Sequence, residues 1–294
     1  MSIGASPAAG CPPSALAPQP AVPPGPAGAI GTFDPDGYAM LVAPARAQWV
    51  TWKWDGAAWL SLVPGPGQPL SNLAFDPTLG ETLVIAAATA GVATLFEWDG
   101  AAWIDTNVLA PALGHQSTLV FDEAESALLL ITGEPGSGMT VWRLDAGEWI
   151  KDSTALSPQL RDAAAVAYDP LRQVILLYGG RNGAARPLAD TWAWDGRVWA
   201  RQSPRAGPPG GPATLAYDPV RSMAVLLAAD ASTWTWDGST WARLTPAGAL
   251  VPGLVTSMAY DAAHDALVVV AAPAPSTGVS GTWTLAGNRW RRAC

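Results

Sequence analysis

Short apolar runs separated by polar turn residues recur from residue 29 to residue 294, too closely spaced for helices and repeating as a unit. Each unit opens on a run ending in an aromatic residue plus Asp: Phe33-Asp34, Phe75-Asp76, Phe121-Asp122, Tyr168-Asp169, Tyr217-Asp218 and Tyr260-Asp261. A second apolar run follows, and then two aromatics seven residues apart: Trp52/Trp59, Phe96/Trp103, Trp142/Trp149, Trp192/Trp199, Trp234/Trp241 and Trp283/Trp290. Within each pair lies a turn dipeptide, Asp55-Gly56, Asp99-Gly100, Asp145-Ala146, Asp195-Gly196, Asp237-Gly238 or Ala286-Gly287. Asp-Gly is a hairpin signal because both central residues of a type I′ turn need positive φ. A two-residue turn centred there sets Trp192 directly opposite Trp199, and likewise in every unit. Such a cross-strand aromatic pair contributes roughly 0.2–1 kcal/mol over Ala–Ala. These tryptophans are therefore expected to be scaffold.

The other turn works differently. In Tyr168-Asp169-Pro170-Leu171-Arg172 and Tyr217-Asp218-Pro219-Val220-Arg221 the carboxylate can accept a backbone bond two residues on, while Pro presets φ. The runs that follow, such as Thr82-Leu83-Val84-Ile85, Val174-Ile175-Leu176-Leu177 and Leu267-Val268-Val269-Val270, are apolar at successive positions, as in strands buried on both faces. They end in small residues, Ala86-Ala87-Ala88, Gly179-Gly180, Ala228-Ala229 and Ala271-Ala272, which suits the crowded inner strands of a ring. Each unit reads as four short antiparallel strands that cannot bury both faces alone, so the expected fold is all-β: a six-bladed β-propeller of four-stranded antiparallel blades. Ala29 to Asp34 reads as the strand that ends a repeat, and the last repeat stops at Arg289-Trp290-Arg291-Arg292, one strand short. The N-terminal strand is thus predicted to complete the last blade and leave no free edges.

The fourth unit carries Ala167-Tyr168-Asp169-Pro170, Leu176-Leu177-Tyr178-Gly179-Gly180, Asp190-Thr191-Trp192 and Trp199. It resembles the kelch repeat of galactose-oxidase-like proteins, and the resemblance runs over residues 29–294, with the Gly-Gly pair confined to this unit. The family's enzymes hold copper with Tyr and His ligands at the propeller mouth. The loops of this chain offer no such set, so the resemblance implies the fold without the activity.

Residues 1–28 are a different material, Pro, Ala, Gly and Ser with almost no charge, expected to form an extended tail preceding a propeller domain of residues 29–294. The two cysteines, Cys11 and Cys294, are a candidate disulfide within or between chains, or else two free thiols. Ala8-Ala9-Gly10-Cys11 has the look of a lipoprotein cleavage box, but residues 1–7 supply no hydrophobic segment, so a lipid anchor is expected only if a signal was trimmed from this chain. Only 14% of residues are charged and 49% are hydrophobic, against about 25% charged in an ordinary domain. No run approaches the ~20 apolar residues of a membrane helix. A net charge of −8 without a basic stripe argues against nucleic acid.

Chemistry is sparse. His115 and His264 read as surface residues without a metal-ligand companion. No nucleophile elbow or ordered triad occurs. Asp237-Gly238-Ser239-Thr240-Trp241 lacks the residue that separates Asp from Gly in a sialidase Asp box. No cofactor, metal or catalytic residue is therefore expected. The leading expectation is a non-catalytic extracellular or cell-surface propeller, a structural or interaction subunit self-associating head to tail through its unlike faces and its tail. Glycan binding is the alternative. An enzyme with a site built from loops 133–139, 181–190 and 273–281 is the third.

Overall fold

The structure, a computed structural model, describes residues 30–34, 38–45, 48–69, 71–87, 93–114, 116–136, 138–248, 254–272 and 281–293. The tail 1–28, Cys11, Cys294, His115 and most of loop 273–281 lie outside the described residues, and so do the disulfide and tail expectations.

All described regular structure is β, in six antiparallel sheets arranged as a propeller. Blade 1 comprises β1 (Ile30–Asp34), β2 (Tyr38–Ala45), β3 (Gln48–Trp54) and β4 (Trp59–Pro64). Blade 2 has a broken innermost strand, β5 (Gln68–Pro69) and β6 (Ala74–Asp76), then β7 (Glu81–Ala87), β8 (Ala93–Trp98) and β9 (Trp103–Leu109). Blade 3 is β10 (Ser117–Asp122), β11 (Ala127–Glu134), β12 (Gly138–Asp145) and β13 (Glu148–Asp152). Blade 4 is β14 (Ala165–Asp169), β15 (Val174–Tyr178), β16 (Thr191–Trp194) and β17 (Trp199–Gln202). Blade 5 is β18 (Ala213–Asp218), β19 (Met223–Ala228), β20 (Thr233–Trp236) and β21 (Trp241–Leu244). Blade 6 is β22 (Leu254–Asp261), β23 (Ala266–Ala272), β24 (Gly281–Ala286) and β25 (Arg289–Arg292).

The strands ending in aromatic-Asp pack against one another around the axis and are the innermost; the uniformly apolar runs are second. This corrects the inner position expected for the apolar runs. Their composition follows from lying between two neighbours. Ile175 and Leu177 of β15 pack with Val120, Leu129 and Ile131 of blade 3, while Leu176 and Tyr178, on the opposite face, pack with Leu215, Leu226 and Trp236 of blade 5. Burying each such side chain is worth about 1.5–3 kcal/mol, so most of the stability lies between blades.

Ring closure also differs from expectation. β1 pairs with β2 in blade 1, and blade 6 is complete with β22 through β25, so no strand is shared. A repeat read from sequence can be cut at any phase. Here each repeat begins at the axis, with the aromatic-Asp strand, and ends at the rim. The first and last blades meet through side chains: Ala43, Trp52, Trp54 and Trp59 pack on Val268 and Val270, and Trp59 Nε1 donates to Thr282 Oγ1 at 2.8 Å.

The aromatic pairing is shifted as well. Trp194, not Trp192, faces Trp199, and Trp192 faces Arg201. Likewise Trp54 faces Trp59, Trp98 faces Trp103 and Trp236 faces Trp241, with ring centroids 5.1–5.5 Å apart. In blades 3 and 6 Leu144 faces Trp149 and Leu285 faces Trp290. In blades 3 and 6 the two-residue turn falls one residue later than expected, on Ala146-Gly147 and Gly287-Asn288. In blades 1, 2, 4 and 5 the cause is the Asp side chain: Asp55 Oδ1 accepts from the amides of Ala57 and Ala58 at 2.9 and 2.7 Å, closing a four-residue loop in place of the two-residue turn. Asp99, Asp195 and Asp237 do the same.

Candidate binding site

The space that the scaffold tryptophans occupy is unavailable to a ligand. Trp52, Trp59, Trp192, Trp199, Trp241, Trp283 and Trp290 are buried, as is Phe96, while Trp103, Trp142, Trp149 and Trp234 are half-buried. The first tryptophan of an outer strand reaches back to the preceding blade. Trp103 Nε1 donates to Thr51 Oγ1 at 2.8 Å and Trp241 Nε1 to Thr191 Oγ1 at 2.9 Å, as Trp59 does to Thr282. Each of these threonines immediately precedes the aromatic of its third strand. In blades 2 and 3 Thr94 and Thr140 stand two residues before Phe96 and Trp142, hence on the other face. Accordingly Trp149 Nε1, Trp199 Nε1 and Thr94 Oγ1 lack a partner among the described residues.

The turns consume most aspartates. Asp76, Asp122, Asp169, Asp218 and Asp261 are buried and accept amide bonds from their own turns. In blades 4 and 5 a cation three residues on neutralises the carboxylate: Arg172 bonds Asp169 at 2.7 Å, and Arg221 bonds Asp218. His264 Nδ1 lies 2.8 Å from Asp261 Oδ2 in blade 6, taking the arginine's place, and its side chain is exposed, as expected of a surface turn residue. Blade 3 breaks the rule, with Glu125 at this position and Asp122 Oδ2 unpartnered among the described residues. Burial pushes the Asp122 carboxyl above its ordinary value, against two backbone bonds that lower it.

What remains open is the axis. Two cavities of about 480 and 450 Å3 occupy its ends and share Gly31, Asn72, Val166, Leu215 and Met258 as a waist. Asn72 is fixed there because its side chain imitates a strand: Nδ2 donates to Leu119 O at 2.9 Å and Oδ1 accepts from Leu119 N at 2.6 Å. Gln116 bridges blades 3 and 4 the same way, through Ala164 O and N at 3.0 and 2.8 Å. The cavity on the side of the inter-blade connections is walled by Ala, Thr, Ser and Pro without an ionisable side chain.

The cavity at the Asp-turn end is chemically richer. Phe75, Phe121, Tyr168, Tyr217 and Tyr260, the penultimate residues of five innermost strands, line it together with Glu123. Tyr168 Oη accepts from Ala124 N at 3.0 Å and Tyr260 Oη donates to Asp265 at 3.2 Å, which fixes both rings. Burial raises both phenols to about 12, so they stay protonated donors at neutral pH. Burial, and secondarily Asp122, pushes the Glu123 carboxyl up. The innermost strands pair on one side only, so their other backbone edge faces the channel. In the sequence these aromatics mark turns and carry no other signal. Among the described residues no group of three or more His, Cys, Asp or Glu could hold a metal ion. No described helix is long and apolar enough to cross a membrane.

No family model matches this chain, and no curated protein matches it in sequence. Solved structures share its shape at low identity. A SapL1 lectin in complex with alpha methyl fucoside aligns with a TM-score of 0.60 at 13% identity, over 91% of this chain and 95% of the lectin. A candidate oxidoreductase (glucose dehydrogenase) from Thermus thermophilus aligns with a TM-score of 0.56 at 14% identity, over 93% and 98%. A gluconolactonase from Xanthomonas campestris aligns with a TM-score of 0.61 at 12% identity, over 88% and 86%. At such identities the likeness concerns the fold. The expectation of a non-catalytic extracellular structural protein does not stand, because a gluconolactonase has this shape and sparse sequence motifs are no ground for excluding catalysis.

Proposed function

We propose that the protein binds a neutral carbohydrate at the Asp-turn mouth of its axial channel. The convergence of five aromatic side chains on one cavity of about 450 Å3 carries the reading. A pyranose presents apolar C–H faces and polar edges. The first stack on aromatic rings; the second can meet phenol hydroxyls, the Glu123 carboxyl and the unpaired backbone edges. A cavity of this size falls in the range of small-molecule sites. The lectin of similar shape, solved with a fucoside, supports the same ligand class. The kelch-like character belongs to this proposal too. It rests on blade 4, where Arg161 clamps Asp190 at 2.7 and 2.9 Å and donates to Gly179 O at 2.9 Å.

Isothermal titration against neutral mono- and oligosaccharides is the test. Tyr217→Ala should weaken binding up to about tenfold, the equivalent of a lost aromatic contact of ~1.4 kcal/mol. Absence of any neutral-sugar binding at millimolar concentration, or identical affinity in Tyr217→Ala, would overturn the reading.

A second reading is favoured by Glu123. A carboxyl with a raised pKa at the mouth of a cavity suits a general acid, and sugar lactones or glycosides would be the substrates. Turnover lost in Glu123→Gln with binding retained would support it; no turnover in the parent protein would exclude it.

A further inference from the structure

Charge is divided unevenly around the ring. Up to residue 160 the chain carries 15 Asp and Glu against 4 Lys and Arg; beyond it, 9 against 12, so a net −11 stands beside a net +3. The positive excess collects on the outer strands of blades 4 to 6. β17 carries Arg201, β21 Arg243, and β25 Arg289, Arg291 and Arg292, all exposed, and none of the three strands bears an acid. Register makes a row of them: Arg201 stands opposite Trp192, Arg243 opposite Trp234 and Arg292 opposite Trp283. Lys151, opposite Trp142, stands at the same level in blade 3 but is paired with Glu134 at 2.7 Å, and blades 1 and 2 carry Ser61 and Asp105 there, so the net positive excess of the row belongs to blades 4 to 6. Lys151 Nζ lies 5.5 Å above the Trp142 ring and the Arg292 guanidinium 5.8 Å above Trp283, so these two indoles act as seats for their cations. No basic stripe exists along the sequence, but the ring builds one around its rim.

We propose that this rim of blades 4 to 6 binds an anionic polysaccharide carrying carboxylate or sulfate groups. The ligand class rests on the carbohydrate reading, but the site is separate from the axial mouth. One cation per blade at constant height suits a linear chain that follows the rim. The overall charge of −8 does not oppose it: screening acts over about 8 Å at physiological salt, and the expected radius of gyration of a chain this long is about 19 Å, so a ligand on one half of the ring is shielded from the other half. Nucleic acid fits less well. Duplex phosphates are packed far more densely than one cation per blade, and the indoles of Trp142 and Trp283 lie beneath cations rather than open to bases.

The test measures binding of oligogalacturonate and heparin oligosaccharides, with neutral oligosaccharides and duplex and single-stranded DNA as comparisons, across a salt series. Tight, salt-sensitive binding of the anionic glycans is expected. Arg201→Ala/Arg243→Ala/Arg292→Ala should weaken it about tenfold or more and flatten the log–log salt slope by about 3. Arg243→Gln alone, at an exposed position, should flatten it by about 1 and guards against a misfolded triple variant. Arg181→Ala/Arg186→Ala should leave binding unchanged. Tyr217→Ala should spare anionic binding while weakening neutral binding up to about tenfold, which separates failure of this proposal from failure of the axial one. No salt-sensitive binding, no effect of the rim variants, or DNA bound as tightly as the glycans would overturn it.

Discussion

Replacing Glu125 with arginine should stabilise the protein, and the reason can be followed atom by atom. In blades 4 and 5 the buried turn aspartate is neutralised by an arginine three residues on. That arginine also lies over the glycine of the next blade's outer hairpin: Arg172 covers Gly238 so closely that a Cβ there would collide with its guanidinium. Blade 3 keeps the same socket, since Glu125 lies over Gly196, where a Cβ would sit 3.0 Å from Glu125 Cγ, yet it places an acid beside Asp122. Glu125→Arg would give Asp122 Oδ2 a charged hydrogen bond worth about 1.5–3 kcal/mol. Against this stand the lost rotamer freedom of arginine and repulsion from Arg143, whose guanidinium already donates to Gly196 O at 3.1 Å. The net gain should be about 1 kcal/mol, or roughly 2 °C in Tm. Its pH dependence is distinctive. In the native protein the Asp122 pKa is raised by burial from 3.8, so its contribution to stability is present below 3.8 and lost as pH rises through the folded value. Pairing with arginine lowers the pKa and reverses the sign, so the difference between variant and parent should be small near pH 3 and full by pH 7. Guanidinium denaturation of both proteins at the two pH values measures it, with Glu125→Gln separating removal of the acid from addition of the cation. A gain equal at both pH values, or a loss at pH 7, would refute the pairing.

Three further outcomes follow from the same contacts. Trp199→Ala removes a ring that is 2% exposed and should cost about 3–5 kcal/mol in chemical denaturation; a loss under about 1 kcal/mol would mean the ring does not bear packing. Gly238→Ala and Gly100→Ala share a strained φ of +97° and +93°, but only the first meets a neighbour, so it should lower Tm clearly more; equal losses would show that the Arg172 contact is absent. Trp59→Phe severs the bond to Thr282 and should cost about 1 kcal/mol more than Trp199→Phe, whose indole N–H has no partner to lose; equal costs would place no bond at the seam.

Fold and site were unequally legible in the sequence. The blades could be read because their signals are local: Asp-Gly and Asp-Pro turns, aromatics seven residues apart, and continuous apolar runs such as Val174-Ile175-Leu176-Leu177 that suit a strand covered on both faces. Register differs from the sequence expectation by one residue on each strand, because Asp55 and its counterparts in blades 2, 4 and 5 close a longer loop with a side chain, and in blades 3 and 6 the two-residue turn is centred one residue later. Closure was misread because a cyclic repeat has no intrinsic start. The axial mouth stayed hidden for a geometric reason. Phe121, Tyr168 and Tyr217 are almost 50 residues apart in the chain and become neighbours only when the ring brings their strands to one axis.

Among the described residues the seam between blades 1 and 6 carries no hydrogen-bonded strand pair and is made by side-chain contacts. It behaves as a clasp. Springing it open would leave each four-stranded sheet whole and expose side chains rather than new backbone edges, so an open ring would have no fresh strand to offer a neighbour for templated pairing. The same construction makes the blade a modular part: because no sheet spans the junction, a ring of this design could gain or lose a whole repeat, or begin its chain at another blade, without any strand having to find a new partner.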